Sequence, residues 1–293
     1  MAAPFLLALH GELTVVGKSP DGDSMRFIPK TPALLDELAR ADRKRITVSD
    51  GSVQLRLEGI DTPETHFGKF AQPLGDHARD WLLEHTGFAD VAFDASGKVT
   101  TATPPKRPAV VLSKAFDPNG RPISYVLVDD SDPPPDGEFV EVDADMLRRT
   151  VNAASLSAGE AYLTLYSSTP ARHRRTLRAI ATDAREQQLG VWAADQSANF
   201  ELLDHDSLAP PTGALILPKL FRRCTDYIKA REGGFAGTLP DWLVAASATG
   251  RRPENDLLLI GGITEVSLAS VVQHLNDRIR FTADLLDIVF IEK

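Results

Sequence analysis

The segment Val53-Gln54-Leu55-Arg56-Leu57-Glu58-Gly59-Ile60 alternates apolar and polar residues with a period of two. That period belongs to a strand with one apolar face: Leu55 and Leu57 point one way, Arg56 and Glu58 the other, as an ionic outer side. Around it the first half of the chain reads as short β-rich runs separated by turn chemistry, and helices come in force only later. Leu13–Val16 and Met25–Ile28 flank the turn Ser19-Pro20-Asp21-Gly22 and predict a hairpin. Val91–Phe93, Pro108–Leu112 and Ser124–Val128 predict further strands, the first two joined by a polar stretch at 96–106. The apolar run from Pro4 to Leu9 has no Lys or Arg ahead of it and is shorter than a usual signal core, so it reads as a first strand.

Helical spacing appears at 32–45, where Leu34, Leu35, Leu38 and Ala41 follow Thr31-Pro32 as cap and first position, and again around 76–85 and 145–158. A longer helix opens at Thr169-Pro170, buries Leu177, Ile180, Ala181 and Ala184, and stops at Gly190. Arg172, Arg174, Arg175, Arg178 and Arg185 fall on its other side. Between these helices, Asp129–Asp145 holds eight acidic residues, no basic one and a triple proline, the pattern of a solvated loop. The proline-bearing stretch 204–213 resembles a linker; beyond it helices are expected at 218–231, 240–248 and 268–275, then a closing apolar run at 285–291.

With 43% hydrophobic and 25% charged residues, these 293 residues can bury a real core, as one large domain or two ordinary ones. A mainly disordered chain is excluded. The only thiol, Cys224, leaves no intramolecular disulfide and no Cys-based zinc site. Against 41 acidic residues stand 32 basic ones, a net charge of −9. Sliding on duplex DNA along a broad basic face is therefore disfavoured, and a polyanion must be met locally. No stretch approaches the roughly 18 apolar residues that a membrane span needs, which makes a soluble, cytoplasmic protein the default expectation.

Several residues have types suited to phosphate chemistry. Asp21 and Asp23 sit two apart around Gly22 and can turn both carboxylates to one side, as hard-oxygen ligands of Ca²⁺ or Mg²⁺ or as plain turn residues. In Asp61-Thr62-Pro63-Glu64, Pro63 keeps Thr62 extended, so one acid can serve a metal and the other a water; a capped turn is the plain alternative. Arg56 precedes Asp61 on its strand, and Arg121 follows the Asn119-Gly120 turn. A guanidinium forks onto two phosphate oxygens and stays charged at any working pH, though a surface ion pair would use it equally well.

The order D-G-D, R-L-E-G-I-D-T-P-E, N-G-R, V-N-x-A-x-L-x-x-G, then an Arg-rich helix ending L-G-V-W, resembles the staphylococcal nuclease (thermonuclease) family over about residues 5–195. The resemblance implies a five-stranded OB-type β-barrel with packed helices over residues 1–199. It also implies a Ca²⁺-dependent phosphodiesterase acting on DNA or RNA, an endonuclease leaving 3′-phosphates. By the same resemblance Asp21, Asp23, Asp61 and the Thr62 carbonyl are the metal site, Glu64 the general base, and Arg56 with Arg121 the phosphate clamp. Pro118-Asn119 departs from the pattern where relatives often carry a Lys-Tyr pair beside the nucleotide pocket. Neither Tyr162 nor Tyr166 falls in register as a base platform. Trp81 and Trp192 read as core, and His66 and His77 as surface residues. The acidic loop could also mask the groove. Residues 200–212 are then the linker, and 213–293 a smaller, mostly helical α+β domain that could bind a protein partner or mediate self-association. A nuclease-like module that binds without cutting is the competing function.

Overall fold

The computed structural model describes residues 5–249 and 254–292. Its first strands are Phe5–Thr14 (β1), Arg26–Pro29 (β2), Val53–Gln54 (β3), Arg56–Leu57 (β4), Ile60–Asp61 (β5), Ala89–Phe93 (β6), Val99–Thr103 (β7), Lys106–Phe116 (β8), Pro122–Leu127 (β9), Phe139–Glu141 (β10), Tyr162–Leu163 (β11) and Leu165–Tyr166 (β12). The accompanying helices are Gly75–His85 (α1), Ala144–Arg148 (α2), Val151–Ala158 (α3), Ala171–Glu186 (α4) and Val191–Ala194 (α5).

The main sheet runs β3-β2-β1-β8-β9-β4, with β10 added on β1. Because only Leu55 separates β3 from β4, the two ends of this sheet meet and the barrel is nearly closed. Closure removes the exposed edges that would otherwise invite aggregation. β4 runs parallel to β9 while the other neighbours are antiparallel, so the barrel is mixed. Leu7, Leu13, Phe27, Val53, Leu55, Val111 and Leu112 are fully buried and form its core. The hairpin and an OB-type barrel with packed helices are present as expected, the barrel sheet holding seven strands with β10 where five were expected.

Asn152 of the V-N-x-A motif pins α3 to the barrel: its Oδ1 accepts from Val126 N at 3.1 Å and its Nδ2 donates to the carbonyls of Glu58 at 2.9 Å and Ser124 at 3.0 Å. On α4, Leu177, Ile180, Ala181 and Ala184 are buried as the spacing predicts. Thr169 is not its side-chain cap; its hydroxyl donates to the Glu58 carboxylate instead.

Four local readings need correction. Residues 32–45 form two short 3-10 turns, Pro32–Glu37 and Ala41–Arg43, in place of one helix. Left-handed Arg40 breaks them, and Ala39 spends its backbone groups on Lys114 O and Phe116 N of β8. The polar stretch 96–106 contains β7, which pairs with β6. The 145–158 helix is interrupted, with Thr150 capping α3 at Ala153 N. The acidic segment is also built in: β10 lies within it, Asp129 pairs with Arg107 at 2.5 Å, Asp130 with Arg149 at 2.6 Å, and Asp136 accepts from His10 N and Thr31 Oγ1.

Further along come Phe200–Glu201 (β13), Pro218–Glu232 (α6), Leu239–Thr249 (α7), Leu257–Ile260 (β14), Thr264–Ser267 (β15), Leu268–Val271 (α8), Val272–Leu275 (β16), Arg278–Phe281 (β17) and Ile288–Phe290 (β18). The helix expected at 268–275 is thus one turn followed by a strand. This α+β region is woven into the barrel side. β12 and β18 pair in parallel, Asp195 bridges to Leu215, and Arg178 Nε donates to Leu286 O at 2.6 Å. The expected linker 200–212 holds β13 and buries Leu202 and Leu208. Among the described residues no helix is long and apolar enough to cross a membrane.

Candidate active site

The backbone of the Asp21-Gly22-Asp23 turn is stitched to the strand that follows β3. Leu57 N donates to Asp23 O at 3.1 Å and Leu55 N to Met25 O at 2.8 Å. Gly22 lets this turn lie against the next one, because a Cβ there would stand 2.6 Å from Thr62 Oγ1. β5 meets β11 with Asp61 opposite Tyr162, which fixes where the Asp-Thr-Pro-Glu turn leaves the barrel. The outcome is a cleft of about 1140 Å³ that is lined by Asp21, Asp23, Arg56, Asp61, Thr62, Glu64 and Arg121 together. Every residue expected to hold metal, water or phosphate lines one space.

The acids in it repel one another. Burial first, and then the carboxylates of Asp21, Asp61 and Glu64, push the Asp23 carboxyl well above its usual range, with Arg121 opposing. Burial also raises Asp21, against hydrogen bonds from Gly22 N and the Thr65 hydroxyl. Burial pushes Glu64 up to about 7; Arg222 opposes this, and Asp61 and Asp21 add to it. Such a cluster is short of positive charge.

The two arginines expected to clamp phosphate are held differently. Arg56 is half-buried, not on a solvated outer face, and its guanidinium carbon lies 4.7 Å from the centroid of the Tyr166 ring. Burial works against its charge, but Tyr166, Glu58 and Asp117 hold its pKa above the ordinary value. Arg121 is gripped by the fully buried Asp117, whose Oδ2 accepts from its Nε at 2.8 Å and whose Oδ1 accepts from the backbone N of Asn119 and Arg121. Gly120 has a positive φ of 79°, and a Cβ there would lie 2.2 Å from Arg43 O, so the turn aiming Arg121 requires glycine.

Sequence reasoning missed part of the site. Tyr166 lines the cleft with Lys219, whose Nζ donates to its hydroxyl at 3.3 Å. Asp117 carries a turn signal, Asp-Pro-Asn-Gly, that could have marked it. Gln72 is buried beneath Glu64: its Oε1 accepts from Glu64 N at 3.2 Å and its Nε2 donates to Ile216 O at 2.7 Å. Arg222 of α6 forks onto Asp61, with Nη2 to Oδ2 at 2.8 Å and Nη1 to Oδ1 at 3.2 Å, and also contacts Glu64 Oε1. Its partners lie about 160 residues away, beyond any spacing argument.

The donor chemistry of Asp21, Asp23, Asp61 and the Thr62 carbonyl fits a hard divalent cation: the oxygens are hard, three of the donors are carboxylates, and the Asp23 carboxylate has no hydrogen-bond or ion-pair partner among the described residues. Arg222 stands on one of those donors, and among the described residues no three or more His, Cys, Asp or Glu side chains are gathered closely enough to hold an ion as they stand.

Other residues have plain roles. Trp192 is buried, edge-on to Tyr162, whose hydroxyl donates to Asp195 at 2.9 Å. Trp81 stacks on His85, and His77 pairs with Glu160 at 2.9 Å. His66 lines the cleft. Arg178 and Arg185 bind the C-terminal region, and no residue of 129–145 lines the cleft.

Part of the chain also matches known proteins. Residues 54–194 match the family model described as staphylococcal nuclease homologue. That range contains Arg56, Asp61, Thr62, Glu64 and Arg121, whereas Asp21 and Asp23 precede it and Arg222 follows it. Among curated proteins, the chain is 40% identical over 100 residues to "Probable endonuclease LCL3" of Candida tropicalis, covering 33% of this chain and 37% of that one. Proteins of the same description from Clavispora lusitaniae and Meyerozyma guilliermondii are 35% and 32% identical over 100 residues, covering 33% of this chain and 38% and 39% of theirs. The match therefore spans well under half the length of these relatives. Barrel, motif order and family match agree: this chain carries a staphylococcal nuclease homologue domain at residues 54–194.

Proposed function

We propose that the protein is a Ca²⁺-dependent nuclease that hydrolyses phosphodiester bonds of DNA or RNA, endonucleolytically and leaving 3′-phosphates. The observation that carries this reading is the single cleft shared by Asp21, Asp23, Asp61, Thr62, Glu64, Arg56 and Arg121.

Arg56 and Arg121 supply two fixed guanidinium groups to the non-bridging oxygens of a bound phosphate, where negative charge grows as the diester is attacked. Tyr166 and Asp117 hold those groups in place before substrate arrives, so little reorganisation is left for the reaction itself. Glu64, half-buried at the cleft, orients a water and accepts its proton; burial favours the proton-accepting role by raising its basicity. A Ca²⁺ held by Asp21, Asp23, Asp61 and the Thr62 carbonyl would supply Lewis-acid polarisation of a phosphate oxygen.

The test is cleavage of single- and double-stranded DNA and RNA with Ca²⁺, with chelator, and by Glu64→Gln. Turnover that needs Ca²⁺ and falls by about 10²–10⁴ in the variant is expected. End-labelling of the products reads the position of the phosphate. Tight binding without turnover is the opposite result, and would identify a nuclease-like binding module.

A further inference from the structure

One wall of the cleft lies beyond the C-terminal end of the family match. α6 lies beyond residue 194 and presents Lys219, Arg222 and Arg223 to it. Two of these cations are engaged locally: Arg223 Nη2 binds Asp256 at 2.9 Å and its Nε donates to Glu254 O at 2.8 Å, while Lys219 Nζ lies 3.7 Å from Asp256. Arg222 instead crosses to Asp61 and Glu64.

Its position is not a chance swing of a long side chain. Leu220, Phe221, Cys224, Tyr227 and Ile228 bury the inner face of α6. The chain leading into the helix is tied down as Leu217 N donates to Ser197 Oγ at 2.7 Å and Ile216 O accepts from Gln72. A planar guanidinium on both oxygens of a carboxylate that is 6% exposed is a well-made pair, costly to break without a substitute charge.

Resting on the proposed function, we propose that Arg222 is a resident counter-cation that sets the affinity of this cleft for divalent metal: the guanidinium and the metal compete for Asp61. Without metal, Arg222 neutralises Asp61 and Glu64. Metal entry requires it to release Asp61, and Glu64 is freed for water in the same movement. The C-terminal region thereby acts as a threshold on the nuclease site.

The experiment is calorimetric Ca²⁺ titration of the full chain as wild type, Arg222→Gln and Arg222→Lys. Arg222→Gln should bind Ca²⁺ about tenfold or more tightly, since the competing charge is gone, and Arg222→Lys should fall between. A second readout uses the wild type alone: phenylglyoxal labelling mapped by mass spectrometry should find Arg222 protected in chelator and reactive at saturating Ca²⁺. It stands even if a variant fails to fold. Equal or weaker Ca²⁺ binding by a folded Arg222→Gln, or unchanged protection of Arg222, overturns the inference. If the wild type binds and cuts in Ca²⁺ while Arg222 has no effect, only this inference falls. If no form binds Ca²⁺, it falls together with the metal half of the proposed function.

Discussion

Arg121 owes its aim to Asp117, a buried carboxylate that touches no substrate in the proposed reaction. Asp117→Asn keeps an oxygen for the two backbone N–H groups but loses the charge-assisted grip on Nε. Its turnover should fall about tenfold with KM changed far less, since the clamp matters most as charge develops. Steady-state kinetics with a short oligonucleotide separates the two. His173 offers a pH test of the fold. Its buried ring donates from Nε2 to Val142 O at 2.8 Å, so Nδ1 is left to accept from the Tyr125 hydroxyl at 3.1 Å. Burial lowers its pKa, the Val142 carbonyl opposes and Lys114 adds to the lowering. A depressed folded-state pKa means the unfolded chain binds the proton first. The contribution of His173 is therefore intact above about pH 6.5 and is lost as pH falls below it. Urea midpoints of wild type should drop more steeply below that pH than those of His173→Gln, which keeps a donor and an acceptor but cannot titrate. Arg56, Asp61, Glu64 and Arg121 were legible because each lies in a short motif whose neighbours fix its direction. Gln72 and Arg222 were not, because their partners come from tertiary packing alone.

Among the elements, α3 depends on Asn152 as a three-way hydrogen-bonded rivet. Asn152→Ala leaves buried groups of Val126, Glu58 and Ser124 without that partner and should cost about 2–4 kcal/mol in a denaturation experiment. Gly22→Ala meets Thr62 head-on and should separate the two acidic turns. Calorimetry should find Ca²⁺ affinity reduced by about tenfold or more while the far-ultraviolet circular dichroism spectrum is little changed, because the closest clash is with the Thr62 side chain in the facing turn and only Ala78 of α1 is touched besides. The period of two around residue 55 and the buried stripe of α4 read correctly, since both faces see strongly different surroundings. The misread elements are those where two answers fit. Leu268, Val271, Val272 and Leu275 have helical spacing, yet Val272–Leu275 pair with β17. Leu34, Leu35, Leu38 and Ala41 likewise have helical spacing, but hydrogen bonds from Ala39 to the edge of β8 prevail.

On the scale of the molecule, the part before residue 199 and the region after it share a sheet through β12 and β18, not merely a surface. Cutting the chain after residue 199 would strip β12 of its partner β18 and leave Arg178 and Arg185 without theirs. Such a fragment should melt at least about 10 °C lower than the whole chain, or aggregate on heating, as scanning calorimetry would record. Nothing in the order of motifs announces this interlocking, since a proline-bearing stretch after a complete nuclease pattern reads as a hinge. The Gln72 amide gives the interlocking a direct consequence. One end of that side chain steadies the peptide of Glu64 and the other steadies the approach to α6. A single amide thus works as a crank between the approach to α6 and the Glu64 turn, so that remodelling residues 214–217, none of which lines the cleft, would retune the proposed reaction from a distance.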